Sequence, residues 1–462
     1  MQSIPTALAE SSAALERAVC TAQNFDMICH PLTTDSGVQA KVYYIDGFVK
    51  EDSFEKILEN IRKLNFSEPV LDIPFAEVHE ETDAARLPQA LLCGGAVCLF
   101  DGQAKALVLD TRYLPERSIS EPENDRVLRG ARDGFVESLT RNTALLRRRV
   151  HDPRLRMELY TVGSASTTDL VMCYIEGAAD ASLCEKLRAK LCHLPVKSLN
   201  FGQQSLAEAL LTQKWYNPFP KFRYTERPDA LAAMLLEGKI AVFCDNSPQV
   251  MLIPTSIFEF MQETDDYYFP PLTSTYLRFL RVVIALIALF LTPVWYLLVT
   301  HDPWIPSSLS VLHITRPYTV PILLQLYLVE FAIDGLKLAS LNTPSMLGNS
   351  LSIIGGLLLG DLAVEIGWFL PEVILYMAFV TIANFTQSGY ELGYALKFMR
   401  LLLLALIGLF DWVGFCIGLV CIAVLVGTNR TFGGKRQYLY PLLPFQKDAA
   451  KRLFFRARLT KK

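Results

Sequence analysis

The feature that most constrains this chain is a run of eighteen residues, 282–299, without a single Asp, Glu, Lys, Arg or His. A helix of this length reaches across the hydrocarbon core of a bilayer, which is about 30 Å thick. A helix also satisfies its own backbone hydrogen bonds, which lipid cannot do. Apolar residues continue to dominate, with interruptions, up to Gly427. The sequence therefore predicts a polytopic membrane protein with a large soluble amino-terminal half.

The net charge of -3 is the sum of three unlike parts. Residues 1–275 carry 38 acidic and 28 basic residues, residues 276–427 carry 8 and 6, and residues 428–462 carry 1 and 10. A segment as basic as this tail stays in the cytosol when it lies next to a span. Arg278 and Arg281 stand just ahead of the first span. By the same reasoning, the region before this span is cytosolic. We therefore expect both termini to be cytosolic and the number of crossings to be even.

Five apolar segments are candidate spans: 277–299, 320–339, 346–366, 371–388 and 401–427. An even number requires that one of them does not cross, or that 401–427, interrupted at Asp411, is a re-entrant hairpin. Segment 320–339 carries Glu330, Asp334 and Lys337, which are costly at the centre of a bilayer. We therefore expect this segment to be the exception and the chain to cross four times, with six crossings as the alternative.

The soluble region contains a repeated pattern. VYYIDG at 42–47 and MCYIEG at 172–177 are each followed by apolar residues at helical spacing. Each unit ends in a predicted hairpin, with turns at Asp101-Gly102 and at residues 245–248. The pattern predicts an α/β soluble amino-terminal region with two related small subdomains, followed by an all-α polytopic membrane domain. Chance similarity between short strand patterns is the competing explanation.

These patterns divide the chain into six parts. We expect a flexible amino-terminus at 1–37, the two α/β subdomains at 38–125 and 151–270, a helical connector at 126–150, the membrane domain at 271–427 and a basic cytosolic tail at 428–462. The connector reads RVLRGARDGFVESLTRNTALLRRRV and is strongly basic. It can face acidic lipid, nucleic acid, or the acidic subdomains of the same chain. We favour a solvated or intramolecularly paired helix and predict no nucleic-acid partner, because the soluble region is acidic overall and has no recognised nucleic-acid module.

Catalytic and metal-binding patterns are not evident in the sequence. The ten cysteines are scattered without a CxxC pair, which predicts small buried residues rather than disulfides, and the six histidines are dispersed. We find no GxxxxGK[ST], GxSxG or HExxH motif. The sequence therefore predicts neither an enzyme nor a cofactor.

Several long motifs resemble one known family. They are GARDGFVESLTRNTALLRRRVHDPRL, VGSASTTDLVMCYIEG, TERPDALAAMLLEGKIAVFCDNSPQVMLIPTSIFEF, NTPSMLGNSLSIIGGLLLGDLAVEIG and SGYELGYALKFMRLLLL. Together they resemble the spore germination receptor A-subunit family (GerA family), in order, from about Arg117 to Gly427. The short amino-terminus and the tail YLYPLLPF resemble the stage V sporulation branch of that family.

The resemblance implies a protein of the spore inner membrane that acts in germination. It implies a homo-oligomer, a pentamer by analogy, that conducts ions across the lipid bilayer. Other germination membrane proteins are the implied partners, either B- and C-type receptor subunits or a small membrane partner that helps to amplify ion release.

Four carboxylates are candidates for an ion pathway. Glu330 with Asp334, and Asp361 with Glu365, are spaced i, i+4, which puts each pair on one face of a helix. Repeated around an oligomer, such a face gives rings of negative charge that favour cations. The competing interpretation is structural: Asp334 pairs with Lys337, and Glu365 lies at the membrane surface.

Other polar or small residues in the membrane region are candidates for packing and hinges. Gly355, Gly356 and Gly360 form a small-residue face that favours close helix packing or a hinge. Asp411 interrupts an apolar stretch and so requires a partner, water or a helix break. Besides a monovalent cation channel subunit, a non-conducting scaffold or signal-transducing subunit and a secondary transporter stay open as hypotheses, although no inverted repeat is evident.

Overall fold

The structure is a computed structural model that describes residues 3–64, 77–113, 130–211, 216–263, 265–301, 312–314, 316–342, 363–387, 389–432, 438–443 and 445–455. The chain forms two compact units. Met1–Gln213 and Phe222–Pro254 make up the first, which contains two β-sheets. Lys214–Lys221 and Thr255–Lys462 make up the second, which is helical.

The first sheet has five antiparallel strands in the order β1-β2-β4-β5-β3. Side chains alternate between its two faces, as the strand period requires. On one face Val42 of the second strand packs with Phe54 and Ile57, while on the other Tyr43 packs with Leu91. The elements are α1 (Leu8–Val19), β1 (Met27–Thr33), β2 (Gln39–Ile45), α2 (Glu51–Arg62), β3 (Glu77–Glu81), α3 (Leu87–Leu92), β4 (Ala96–Phe100) and β5 (Ala106–Asp110).

The second sheet repeats this topology. Its order is β6-β7-β9-β10-β8, which is the order of the first sheet strand for strand. The elements are α4 (Leu139–Arg149), β6 (Leu155–Val162), β7 (Thr168–Ile175), α5 (Ala181–Cys192), α6 (Gln203–Leu210), β8 (Arg223–Thr225), α7 (Pro228–Leu236), β9 (Ile240–Cys244) and β10 (Val250–Ile253). The two predicted hairpins are β4-β5 and β9-β10. The prediction of two related α/β subdomains is therefore confirmed, because chance similarity does not produce the same strand order twice.

Three predicted boundaries differ from the structure. Residues 8–33 form α1 and β1 and belong to the first sheet, so they are not a separate flexible amino-terminus. The connector is helical only over Leu139–Arg149, and its described residues before that helix, 130–138, are irregular. Residues 214–221 and 255–270 belong to the helical unit rather than to the second subdomain. Sequence periodicity alone did not separate these segments because each one packs against residues far away in the chain.

The basic connector helix is paired inside the amino-terminal unit. Arg147 of α4 is fully buried, and its Nε lies 2.9 Å from Oδ2 of Asp26. Asn24 accepts a hydrogen bond from the backbone N–H of Met157 on β6 at 2.9 Å, and Arg147 donates a further one to Asn24. These contacts, named here the Asp26–Arg147 joint, therefore tie α4 to the segment before β1 and to the first strand of the second sheet. The intramolecular interpretation of this helix is confirmed for Arg147.

The helical unit contains two helices that are long and apolar enough to cross a membrane. By length and composition these are Pro271–Thr300 and Tyr390–Thr428, among the described residues; Pro371–Phe385 is apolar but shorter. The elements are α8 (Asp265–Tyr268), α9 (Pro271–Thr300), α10 (Ile322–Asn342), α11 (Ala363–Glu365), α12 (Pro371–Phe385), α13 (Tyr390–Thr428) and α14 (Lys447–Phe454). The all-α prediction for this region is confirmed.

Helix α13 folds back on itself at Asp411, whose φ of 58° and ψ of -136° are not helical. A Cβ on Gly414 would overlap the backbone of Leu406, and one on Gly418 would overlap the side chain of Leu403. In a straight helix, residues 403 and 418 would lie roughly 22 Å apart, at 1.5 Å of rise per residue. The two halves of α13 are therefore a helical hairpin whose tip is Asp411. The sequence offered a hairpin interrupted at Asp411 as one alternative for 401–427, and whether this hairpin is re-entrant in the membrane stays a prediction.

Candidate functional site

Helix α10 lies antiparallel to the first half of α13. The hydroxyl of Tyr327 donates to the backbone oxygen of Leu401 at 2.7 Å. One turn further along α10, Glu330 meets Arg400, and a further turn along, Asp334 meets Lys397. The i, i+4 spacing of the two carboxylates thus places both against one face of α13.

Glu330 is buried between two cations. Its side chain is 7% exposed; Oε2 lies 2.7 Å from the guanidinium of Arg400 and Oε1 lies 3.3 Å from Nζ of Lys397. Arg400 is completely buried and also donates to the backbone oxygen of Ala288 on α9 at 2.6 Å. These contacts tie α9, α10 and α13 together through one guanidinium.

Asp334 has a different environment from Glu330. One carboxylate oxygen pairs with Lys397, while the other, Oδ1, is buried and accepts no hydrogen bond from the described residues. The side chain as a whole is 30% exposed. Lys337 lies instead over the ring of Phe385, with Nζ 4.6 Å from the ring centre, which is a cation–π contact. The predicted pair between Asp334 and Lys337 is therefore replaced by a pair with Lys397.

The charge-paired cluster, defined as Glu330, Asp334, Lys397 and Arg400, balances two carboxylates against two cations. Removing one member of a buried pair costs about 3–5 kcal/mol, since it leaves an uncompensated charge. Pairing lowers the cost of these charges in a membrane, but α10 is not among the described helices that are apolar enough to cross by composition, so the prediction for 320–339 stays a prediction. In this conformation the carboxylates of α10 do not form a bare negative surface.

The other candidate residues fall in different places. Asp361, Gly355, Gly356 and Gly360 lie outside the described residues. Glu365 is the last residue of the short helix α11 and is exposed. In the described parts of the chain, no contact joins Glu365 to the charge-paired cluster.

Asp411 obtains both a helix break and a partner. Its Oδ2 lies 3.0 Å from Nε2 of His301, the residue that directly follows α9. Half of the Asp411 side chain is exposed. A charged residue inside an apolar stretch is thus accommodated at the tip of a hairpin, where it does not lie in the middle of a helix.

Sequence reasoning missed five residues that build this region. Lys397 and Arg400 stand in the motif SGYELGYALKFMRLLLL and supply both cations of the charge-paired cluster. The sequence did contain a signal for them. They are two basic residues, three apart, in an apolar region that has only six basic residues. Gly408 lies where a Cβ would overlap Leu323 of α10, and the small residues Gly414 and Gly418 line the hairpin.

The second subdomain contains a polar cluster on its sheet. Glu158 accepts hydrogen bonds from Arg188 at 2.7 and 3.0 Å and from Tyr174 at 2.8 Å, and also from Tyr160. Burial would raise the pKa of Glu158, but the hydrogen bonds from Arg188, Tyr160 and Tyr174 outweigh it, so the pKa lies below its usual range. Burial and the bond to Glu158 raise the pKa of both tyrosines. The carboxylate is thus held ionised and fully engaged.

The first subdomain has a smaller counterpart. Tyr43 donates to Glu16 at 2.6 Å and Lys41 donates to the same oxygen at 3.2 Å. The hydrogen bond from Tyr43 outweighs burial and lowers the pKa of Glu16. Both clusters stabilise an ionised carboxylate at the sheet, which favours a structural role.

The cysteines are all free. Burial raises the pKa of Cys184 to about 11 and that of Cys244 to about 12. A thiol with such a pKa is almost entirely protonated at neutral pH and is a poor nucleophile. Within the described ranges, His, Cys, Asp and Glu form no group of three or more suited to a metal ion. The prediction that the chain is not an enzyme stays a prediction.

Comparison with known proteins extends over both units. Residues 15–462 match the family described as Bacillus/Clostridium GerA spore germination protein. The chain is 36% identical to stage V sporulation protein AF of Bacillus subtilis (strain 168), over 81% of this chain and 75% of that protein. It is 29% identical to spore germination protein KA of the same organism, over 91% and 78% respectively. A solved structure, the N-terminal domain of the A subunit of the Bacillus megaterium spore germinant receptor GerK3, is 22% identical with a TM-score of 0.41, covering 55% of this chain and 97% of that one.

Proposed function

Because the chain belongs to the Bacillus/Clostridium GerA spore germination protein family, we propose that it is a subunit of an oligomeric channel that conducts monovalent cations and so triggers or amplifies ion release during germination. Membership of the family makes it a membrane protein of spore germination, related to receptor A subunits. Family membership alone does not establish conduction, and the charge-paired cluster is the feature that supports it.

Asp334 is the residue that carries this proposal. Its Oδ1 is buried without a hydrogen-bond donor from the described residues, although the side chain is partly exposed. A buried carboxylate oxygen without a partner is costly in a membrane domain, and ionisable residues there mark ion pathways by default. A water molecule or a monovalent cation would satisfy this oxygen. Asp334 is thus the point on α10 at which a cation most readily enters.

Pairing within the cluster supports a closed state in the present conformation. Glu330 is enclosed by Lys397 and Arg400, so only Asp334 keeps an unused oxygen. Opening would move Lys397 away from Asp334 and leave a carboxylate to face the pathway. Around a homo-oligomer, one such group from each copy would form a ring that selects cations.

We propose six crossings, the alternative that the sequence left open, rather than four. Helix α10 runs alongside the first half of α13 with its charges paired, and α13 is a hairpin. Counting α9, α10, α12 and both halves of α13 gives five, and the apolar segment 346–366, which lies almost wholly outside the described residues, makes the number even. We place the protein in the spore inner membrane with both termini cytosolic. Its partners would be further copies of itself, five in all by analogy, and other germination membrane proteins.

A non-conducting scaffold is the second candidate. The equal number of carboxylates and cations in the charge-paired cluster favours it, because such a cluster can simply hold three helices together. The two hypotheses differ in whether the chain passes K⁺ and in whether that flux depends on the charge of Asp334.

The test is K⁺ efflux from liposomes that contain the purified full-length chain. Asp334→Asn removes the charge that faces the pathway, and we expect a clear loss of K⁺ flux with assembly unchanged. Ser340→Ala, one exposed residue of the same helix, is the matched control and should conduct as the original chain does. Absence of K⁺ flux through the original chain would favour the scaffold, and equal flux through the original chain and the Asp334→Asn variant would exclude Asp334 from the pathway.

A further inference from the structure

The carboxy-terminal tail exposes large apolar side chains next to lysines. Leu443 is 59% exposed, Phe445 67% and Phe455 58%. Lys447 and Lys451 of α14 are exposed as well. These five side chains, named here the tail surface, occupy only thirteen residues. Soluble proteins rarely present so many large apolar groups in so short a segment unless something covers them.

Helix α14 separates its inward and outward faces. Ala450 is buried and Leu453 is partly buried, three residues apart. Lys447 and Lys451 are four residues apart and so lie on one face of the helix, while Phe455 follows the helix with an extended backbone. The apolar Phe455 is exposed, as the two lysines are, whereas Ala450 is buried.

The position of α14 relates the tail surface to the membrane boundary. The backbone oxygen of Leu453 accepts a hydrogen bond from Arg278 of α9 at 3.3 Å. Leu453 also lines a small cavity together with Arg278 and Val282. Val282 is the residue at which the charge-free run of α9 begins. Helix α14 is thus fixed at the level where α9 passes from charged to purely apolar residues, which is where lipid head groups lie.

We propose that the tail surface binds the anionic head groups of the membrane in which the chain is inserted, with Leu443, Phe445 and Phe455 in the interface and Lys447 and Lys451 on lipid phosphates. Exposed aromatic and aliphatic side chains beside the lysines of a short helix are a combination that suits such an interface. Charge favours lipid over a second copy of the chain, because residues 428–462 carry ten basic residues and one acidic residue and would repel their own kind.

The test is hydrogen exchange of backbone amides in the full-length chain, reconstituted in nanodiscs. One set contains phosphatidylcholine alone and the other contains about one third phosphatidylglycerol, an anionic lipid. We expect peptides that cover residues 442–455 to exchange more slowly in the anionic set. The difference should shrink near 1 M salt, where the screening length falls to about 3 Å.

A charge-reversed variant shows whether the lysines are responsible. Each lysine near an anionic surface contributes about fivefold to binding. Lys447→Glu with Lys451→Glu should therefore weaken binding of the tail surface to the anionic lipid by roughly 25-fold or more and remove the difference in exchange between the two sets. Lys63→Glu with Lys186→Glu reverses two exposed lysines of the amino-terminal unit and should leave the preference unchanged.

Two outcomes would overturn this assignment. Equal exchange of the original chain in both lipids, or protection that is independent of salt and lipid charge, would mean that protein rather than lipid covers the tail surface. The comparison of lipids needs no variant, so it stands even if the reversed chain fails to fold. No current is measured, so a failure here is distinct from a failure of the channel proposal.

Discussion

Arg400 is the residue on which the charge-paired cluster depends most. It is fully buried, pairs with Glu330 and donates to the backbone of α9. We predict that Arg400→Met destabilises the helical unit by about 3–5 kcal/mol, because it leaves Glu330 buried without its principal partner. The measurement is thermal unfolding of the full-length chain in detergent.

A double variant separates the two causes of that loss. Arg400→Met with Glu330→Gln removes both charges and should recover part of the stability, since an unpaired charge costs more than a missing pair. Arg316→Met changes an exposed arginine of the same unit and should leave unfolding unchanged. If the single variant unfolds at the same temperature as the original chain, Arg400 does not hold the three helices.

Because of Glu158, the stability of the amino-terminal unit should depend on pH in a predictable direction. Its folded pKa is lowered by hydrogen bonds that outweigh burial, while an unfolded Glu titrates near about 4.3. A lowered pKa stabilises the fold fully above the unfolded value, and this contribution is lost as pH falls through the folded pKa. Below pH ~4.3 we therefore expect unfolding of the original chain to become easier than unfolding at neutral pH.

The corresponding variant is Glu158→Gln. It should be less stable than the original chain at neutral pH, and the gap should narrow as the pH falls below about 4. Glu208→Gln alters an exposed carboxylate of the same subdomain, for which no such change is expected. The measurement is the thermal unfolding of both variants and of the original chain at several pH values. A gap that stays constant with pH would contradict the assigned role of Glu158.

At the scale of the element, the α13 hairpin depends on small residues at its tip. Gly418 approaches Leu403 so closely that a Cβ would overlap it, whereas Gly427 has no neighbour within 4 Å at that position. We predict that Gly418→Val destabilises the helical unit by about 1–3 kcal/mol through overpacking and that Gly427→Val does not. Comparison of their unfolding temperatures in detergent measures the difference. Equal values would mean that the two halves of α13 are not packed as described.

The elements differ in how far the sequence predicted them. The two related subdomains followed from VYYIDG and MCYIEG, because strand alternation and turn residues are local signals. The amino-terminal helix α1 and strand β1 did not, since their place is set by pairing with β2 and by the buried Asp26–Arg147 joint. Pairing between distant residues leaves little trace in a single sequence.

The candidate site was predicted only in part. The carboxylates Glu330 and Asp334 were identified because charge is rare in apolar segments. Their partners Lys397 and Arg400 were missed, although they precede an apolar run, because which helix faces which depends on tertiary packing. The hairpin at Asp411 was one of two alternatives, and the positive φ at which α13 folds back is not visible in residue types.

At the scale of the whole molecule, an amino-terminal unit with a duplicated α/β fold is joined to a helical unit that carries buried charges. Membership of the GerA spore germination family places both units in germination at a membrane. The unused oxygen of Asp334 is the feature that favours conduction over a purely structural role. A channel and a scaffold therefore differ most clearly in whether the assembled chain passes current.

The most direct test is the reversal potential of the purified full-length chain in a planar bilayer, with unequal KCl on the two sides, alone and with other germination membrane proteins. We predict a current whose reversal potential lies towards that of K⁺, and we expect this potential to shift towards zero in Asp334→Asn, because a ring of carboxylates selects cations. Absence of current under all these conditions, or a current equally permeable to K⁺ and Cl⁻ in both chains, would contradict it.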